Sequence, residues 1–243
     1  MDLVEYPPRS SKGPPVSGST VDLVNKIFEG SQYQVSYRIA PWPRTFLNAS
    51  SGNTDLILYV QGASDKKFES SVNLGKIFFR SRVILFYSKK HNPKGIPFDS
   101  YSDLEGKLLG TLVNSGLSEL YKKIGMRETQ GPTLKNLFDR LNLARIDLVS
   151  ADDISGITTI EQSYKSGHEL FGIVPKPLVE TDVLLVISRK NPNHKKIRTL
   201  INQRMEALIR SGYYEKWLEK MYKYADLPKA IIPYEAYGIP IKK

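Results

Sequence analysis

The chain has 243 residues and no cysteine, and 35 Lys and Arg against 25 Asp and Glu give a formal charge of +10. Apolar residues make up 40% and charged residues 25%, which excludes wholesale disorder and suffices for one large core or two smaller ones. Without cysteine there is no disulfide framework, no thiolate catalysis and no Cys-based zinc or iron–sulfur site. No apolar run approaches the roughly 20 residues of a membrane helix. Residues 1–6 are too short for the apolar region of a signal peptide, so any leader is expected to have been removed.

The charge is uneven. Residues 1–88 carry a net +3, residues 89–184 a net −1 and residues 185–243 a net +8. Lys195, Arg198, Arg204 and Lys216 alternate with apolar positions at helical spacing. That pattern is a solvated helix face, not a basic stripe with stacking aromatics, and it argues against nucleic acid as a partner.

In chain order, a helix is expected over 21–28, capped by Ser19 or Thr20 and stopped by Gly30. A β run follows at 34–39, then a helix over 42–49 closed by Gly52, and an apolar strand at 56–60. Residues 81–87 form a second clear strand, and the Asn- and Pro-containing stretch 89–97 reads as a crossing. The alternation then restarts, with strands at 108–113, 146–150 and 182–188 and helices at 118–124 and 133–143. Two helices, 195–209 and 213–222, are separated by Gly212, and the Pro- and Tyr-containing tail 225–243 is expected to lie extended on the surface. Repeated β–α alternation predicts an α/β fold with mostly parallel sheets.

The strand exits at 89–93 and 189–192 are alike, each a basic dipeptide followed shortly by Asn-Pro. They suit a chain that leaves one lobe, builds a second and returns. The expected division is a discontinuous lobe 1 over 1–88 and 185–243, an inserted lobe 2 over 89–184, and a hinge near 88–92 and 187–190. Lobe 1 then holds +11 and lobe 2 −1. A basic face on lobe 1 would steer an anionic solute or dock an acidic partner or membrane surface.

Catalytic groups are scarce. His91, His168 and His194 lack ligand spacing, and no phosphate-cradling glycine loop occurs. Ser64 and Lys67 fit Ser-x-x-Lys but lack the companion motifs of a serine acylase. Asp152 and Asp153 are adjacent at a strand end, where side chains point opposite ways. No enzymatic activity, cofactor or metal is expected. Binding groups are better represented. Tyr6 precedes two prolines, Trp42 and Arg44 open a helix, Tyr59 ends a strand and Lys67 follows a polar loop. Residues 114–118, with Gly116 and Ser118, join a strand to a helix, and Asp152 lies just past a strand end. Ligands of open α/β sheets bind beyond such strand ends.

Several motifs, in order, resemble the family 3 bacterial extracellular solute-binding proteins. They are Tyr6-Pro-Pro, Gly18-Ser-Thr-Val-Asp22-Leu, Trp42-Pro-Arg44 with Gly52-Asn-Thr-Asp55, and Asp103-Leu-Glu-Gly106-Lys107 with Gly110. Ser115-Gly116-Leu-Ser118, Arg145-Ile-Asp147 and Arg210-Ser-Gly212-Tyr213-Tyr-Glu-Lys-Trp217 continue the resemblance to about residue 222. It implies a two-lobed clamshell of the type II periplasmic-binding-protein fold, closing on a small solute such as an amino acid. It also implies a monomer in the periplasm that delivers the solute to the membrane permease of an ATP-binding cassette importer.

Carried over by residue, the resemblance makes Tyr6 and Trp42 an aromatic sandwich and gives Asp152 the ligand ammonium. Gly116 and Ser118 amides would add hydrogen bonds. It departs where the family has an arginine for the ligand carboxylate and this chain has Lys67. A lysine supplies a point charge where arginine supplies a planar fork. Either Arg44 restores the fork or the ligand lacks a free α-carboxylate. Two other functions share the fold: a ligand-sensing module of a receptor, and a cyclohexadienyl-dehydratase-like enzyme, for which the cleft offers no histidine.

Overall fold

The computed structural model describes residues 1–60, 66–113, 117–174, 176–222 and 231–240. The chain folds as two units: unit 1 is Met1–Ser81 with Thr181–Lys243, and unit 2 is Arg82–Glu180. The passages at 81/82 and 180/181 lie inside two long strands, β4 (Val72–Ser88) and β9 (Val179–Ser188). Residues 88–92, expected at the hinge, belong to unit 2, where the Lys89 amide donates to the Leu170 carbonyl at 2.9 Å. Residues 187–190 belong to unit 1, where the Ser188 hydroxyl donates to the Ala49 carbonyl at 2.6 Å.

In unit 1, β1 (Asp2–Leu3) pairs in parallel with both β2 (Arg38–Ile39) and β3 (Leu56–Val60). β3 pairs antiparallel with β9, Leu56 opposite Ile187 through Val60 opposite Val183. Four helices follow from plain sequence physics. α1 (Ser19–Phe28) buries Val21, Leu23, Val24, Ile27 and Phe28. α2 (Trp42–Ser51) carries Pro43 in its first turn, where no intrahelical N–H is needed, and ends on left-handed Gly52. α8 (His194–Arg210) buries Ile197, Ile201, Met205 and Ile209, a single stripe at every fourth residue. α9 (Tyr213–Glu219) follows Gly212, whose φ of 75° lets the chain turn sharply between the helices. The Trp217 indole Nε1–H donates to the Ser19 carbonyl at 3.1 Å, which docks α9 on the start of α1.

Asp2 anchors this sheet edge. Its carboxylate is buried and accepts two hydrogen bonds from Arg38, both at 2.9 Å, and one from Asn48 at 2.6 Å. Burial alone would raise its pKa, but the Arg38 and Asn48 hydrogen bonds and the Arg38 charge together hold it below the ordinary value. Its contribution is therefore complete above the unfolded pKa of about 3.9 and lost as pH falls through the lower folded value. Asp2→Asn is expected to cost about 1–3 kcal/mol at neutral pH. It should also flatten the acid limb of stability in urea titrations between neutral pH and pH 3.

In unit 2, β5 (Leu108–Leu112) lies between β6 (Arg127–Gly131) and β7 (Leu148–Asp152), parallel to both. The second half of β4 pairs antiparallel with β7, Val83 opposite Asp152, and with β8 (Phe171–Ile173). α5 (Leu134–Asn142) is capped by the Thr133 hydroxyl and buries Leu137, Phe138 and Leu141. The Phe138 ring is wholly buried and packs 5.2 Å from both the Phe86 and Phe171 rings. A second cluster gathers Leu85, Leu104, Leu109, Tyr121 and Leu148.

The expected parallel sheets are present, and the strands that change unit run antiparallel to them. The β run expected at 34–39 is a strand only at Arg38–Ile39. Helix α1 begins at Ser19 after Gly18 and has no side-chain cap, contrary to the expectation from Ser19 and Thr20. Among the described residues the C-terminal tail is not simply a surface strand. Ile231, Ile232 and Tyr237 are buried, and the Tyr237 hydroxyl donates to the Ile77 carbonyl at 2.8 Å.

Candidate functional site

Tyr6 lies in a turn in which its amide donates to the Ser10 carbonyl at 2.8 Å, while Ser10 donates back to the Tyr6 carbonyl at 3.0 Å. The start of α1 braces this turn, because the Ser19 amide donates to Pro8 and the Thr20 amide to Arg9. Gly18 makes that approach possible. Its φ of 126° and ψ of 169° lie in a region reserved for glycine, and a Cβ there would sit 2.5 Å from the Arg9 carbonyl oxygen. Tyr6 is 39% exposed.

An aromatic wall runs from α2 into the core of unit 1. Trp42 is half-buried and packs edge-on against Phe46, ring centroids 5.0 Å apart. Phe46 in turn meets Phe68 at 4.7 Å and Tyr59 at 6.1 Å. Phe68 lies in α3 (Lys66–Ser71), directly after Lys67, whose side chain is exposed. The fold thus places Trp42 at the outer end of the wall and a cation on the helix that supplies its Phe68. Arg44 is exposed in the first turn of α2, two residues from Trp42.

Tyr59 does not fit the binding role expected of it. Its ring is wholly buried and its hydroxyl donates to Glu69 Oε1 at 2.7 Å, so it supports the wall from behind. The strand end on which the expectation rested is real, but side chains alternate along a strand and Tyr59 points into the core. Phe46 was missed, although its spacing of four from Trp42 puts both on one helix face.

In unit 2, Asp152 ends β7 and caps α6 (Asp153–Ser163), accepting from the Ser155 amide at 3.2 Å and the Ser155 hydroxyl at 3.3 Å. It is 4% exposed, a buried carboxylate at a helix N-terminus. α6 lies against β4 at Gly156, where a Cβ would meet the Phe86 ring at 2.3 Å. Ser118 is the first residue of α4 (Ser118–Lys123) and follows Leu117 at the cap position, so it does not cap the helix. Its hydroxyl instead bonds Glu128, alongside Thr111. Burial would raise the Glu128 pKa, but these hydroxyl bonds and one from Gln130 hold it below its ordinary value. Gly116 lies outside the described residues, as does Ser64 of the Ser-x-x-Lys motif.

The three histidines stand apart. His91 faces the Asn142 carbonyl, His194 faces Asn73, and His168 lies 4.0 Å from Glu169. Among the described residues no group of three His, Cys, Asp or Glu side chains could hold a metal ion, and no helix is long and apolar enough to cross a membrane. Within each unit the candidate groups are of the kinds that bind: an aromatic face and exposed cations in unit 1, a buried capped carboxylate in unit 2.

No protein-family profile and no curated protein sequence matches the chain. Solved structures do. The substrate-binding protein of an amino acid ABC transporter is 18% identical, with 92% of this chain and 98% of that one covered and a TM-score of 0.63. The GluR0 ligand-binding core in complex with L-glutamate is 15% identical, covering 90% and 96%, with a TM-score of 0.71. A histidine kinase sensor domain similar to periplasmic binding proteins is 15% identical, covering 93% and 96%, with a TM-score of 0.64. The chain has the type II periplasmic-binding-protein fold that these amino-acid-binding and sensing proteins share.

Proposed function

We propose that this chain is a solute-binding protein that captures a small polar molecule of the amino-acid class, without chemical change. One observation carries the reading: in a fold shared with amino-acid binders, Trp42 heads an aromatic wall in unit 1 while unit 2 presents the buried, capped carboxylate of Asp152. Tyr6 and Trp42 hold the solute's apolar part, Asp152 takes its ammonium, and Lys67 or Arg44 takes an anionic group. Gly116 and Ser118 contribute backbone amides. Groups from both units then engage one solute, so binding shifts the population toward the closed arrangement of the two units. The fitting setting is the periplasm, with the protein a monomer that hands its solute to an ATP-binding cassette permease.

A thermal-shift panel of the common amino acids and of small cationic and anionic solutes tests this reading. A solute at a hundred times its Kd adds about 2.7 kcal/mol of stability. In a chain of this size that raises Tm by roughly 5–10 °C. A panel in which no compound moves Tm by more than about 1 °C at such concentrations would contradict it.

A second reading, a ligand-sensing module, is favoured by the likeness to the histidine kinase sensor domain. Deleting the gene separates the two. Loss of solute uptake supports delivery, and intact uptake with a lost transcriptional response supports sensing.

A further inference from the structure

Arg80 and Arg82 stand two residues apart on β4, on one side of the strand, and flank the point where β4 passes from unit 1 to unit 2. Each meets two carboxylates of its own unit. Arg80 Nε lies 3.0 Å from Asp182 Oδ1 on β9, and its Nη2 pairs with Glu235 in the C-terminal segment. Arg82 Nε lies 3.2 Å from Glu180 Oε1 on β9, and its Nη1 lies 3.8 Å from Asp153 Oδ2 at the start of α6. Both crossing strands are thus tied to unit 1 by one guanidinium and to unit 2 by the other. Between the two ties lies a single residue on each strand, Ser81 and Thr181.

Arg82 has a second consequence. Val83 pairs with Asp152 in the β4–β7 ladder, so Arg82 reaches the residue next to the carboxylate proposed to hold the solute's ammonium. Asp152 and Asp153 are adjacent, both at most 4% exposed, and like-charged. Asp153 turns one oxygen to the Ile154 amide at 2.8 Å and the other toward Arg82. A buried carboxylate needs such a countercharge, and a planar guanidinium can serve two carboxylates at once.

We propose that Arg82 is a positioning residue that fixes the Asp152–Asp153 cap of α6 to β4 and β9 within unit 2, with Arg80 making the corresponding tie within unit 1. The inference rests on the reading of Asp152 as a ligand group only for its consequence in binding. The ties themselves can be tested on the ligand-free full chain, so failure here is distinct from failure to find a solute.

Hydrogen exchange followed by mass spectrometry is the test. Arg82→Gln is expected to speed amide exchange in peptides covering 150–157 and 179–183 by at least about tenfold, with residues 56–60 of the unit 1 core unchanged. Arg80→Gln should leave 150–157 unchanged and speed exchange over 231–238. Arg82→Lys, with one ammonium for two carboxylates, should fall between wild type and Arg82→Gln. Should Arg82→Gln fail to fold, Arg82→Lys over 150–157 and Glu180→Gln over 179–183 carry the same expectation at smaller size. Unchanged exchange over 150–157 in the Arg82 variants would overturn the proposal, as would equal acceleration there by Arg80→Gln.

Discussion

Phe138→Ala is expected to remove about 3–5 kcal/mol from the stability of unit 2. Phe138 is wholly buried on α5 and is the shared partner of Phe86 on β4 and Phe171 on β8. Truncation deletes both ring contacts and leaves a cavity between a helix and two strands. The surroundings cannot collapse into it, because Phe86 also abuts Gly156 of α6. Phe138→Leu keeps most of the volume and should cost under half as much. Urea unfolding followed by far-UV circular dichroism measures both. A loss below about 1 kcal/mol for the alanine variant would show that this cluster does not hold unit 2 together.

Gly18→Ala should have a comparable effect in unit 1, about 2–4 kcal/mol, for a different reason. Alanine resists the required φ of 126°, and its methyl would lie 2.5 Å from a backbone oxygen that no rotamer change can move. Either α1 withdraws from the Pro8–Arg9 turn or the turn moves, and the turn carries Tyr6. Gly30→Ala is the control. Gly30 has a positive φ of 66° but nothing within 4 Å of a Cβ, so it should lose only about 1 kcal/mol. Equal losses at the two glycines would show that backbone conformation alone, not the approach of α1 to the turn, sets the requirement. The Gly18-Ser-Thr segment of the sequence motif thus has a mechanical meaning: a residue without a side chain, then two amides that clamp the loop bearing Tyr6.

Sequence patterns revealed what strong periodicity or turn chemistry encodes. The apolar strand at Leu56–Val60, the stripe of α8 and the stops at Gly52 and Gly212 are in place. Elements set by their neighbours were hidden. β6 reads Arg-Glu-Thr-Gln-Gly, with no apolar residue, and is a strand because all five residues pair with β5. α6 reads Asp-Ile-Ser-Gly-Ile-Thr-Thr-Ile-Glu-Gln-Ser, rich in β-branched residues, and it rests on the Asp152 cap and the fit of Gly156 against Phe86. β4 runs for 17 residues but was read only over 81–87, because Gly75 and the charged Lys76 and Arg80 interrupt the apolar pattern of its first part. With the boundaries at 81/82 and 180/181, unit 1 carries a net +9 and unit 2 a net +1, so the basic excess still gathers in one unit.

The candidate site was legible by residue type and position more than by environment. A helix start, a polar loop and a strand end nominated Trp42, Lys67 and Asp152 as candidates, and the helix-cap role of Asp152 is what a carboxylate at a strand end most simply does. Whether a strand-end side chain faces solvent or core depends on the register of its sheet, and that is where Tyr59 was misread.

The central claim is that one solute engages both units, and isothermal titration calorimetry tests it most directly. The solute that gives the largest thermal shift would be titrated into wild type, Trp42→Ala in unit 1 and Asp152→Asn in unit 2. Asparagine preserves a good cap, so the second variant should fold and lose only the charge. One solute per chain is expected for wild type, with affinity weakened about 10-fold or more by Trp42→Ala. Asp152→Asn should weaken the same solute about 10- to 100-fold. A solute whose affinity is unchanged by either substitution would contradict the account.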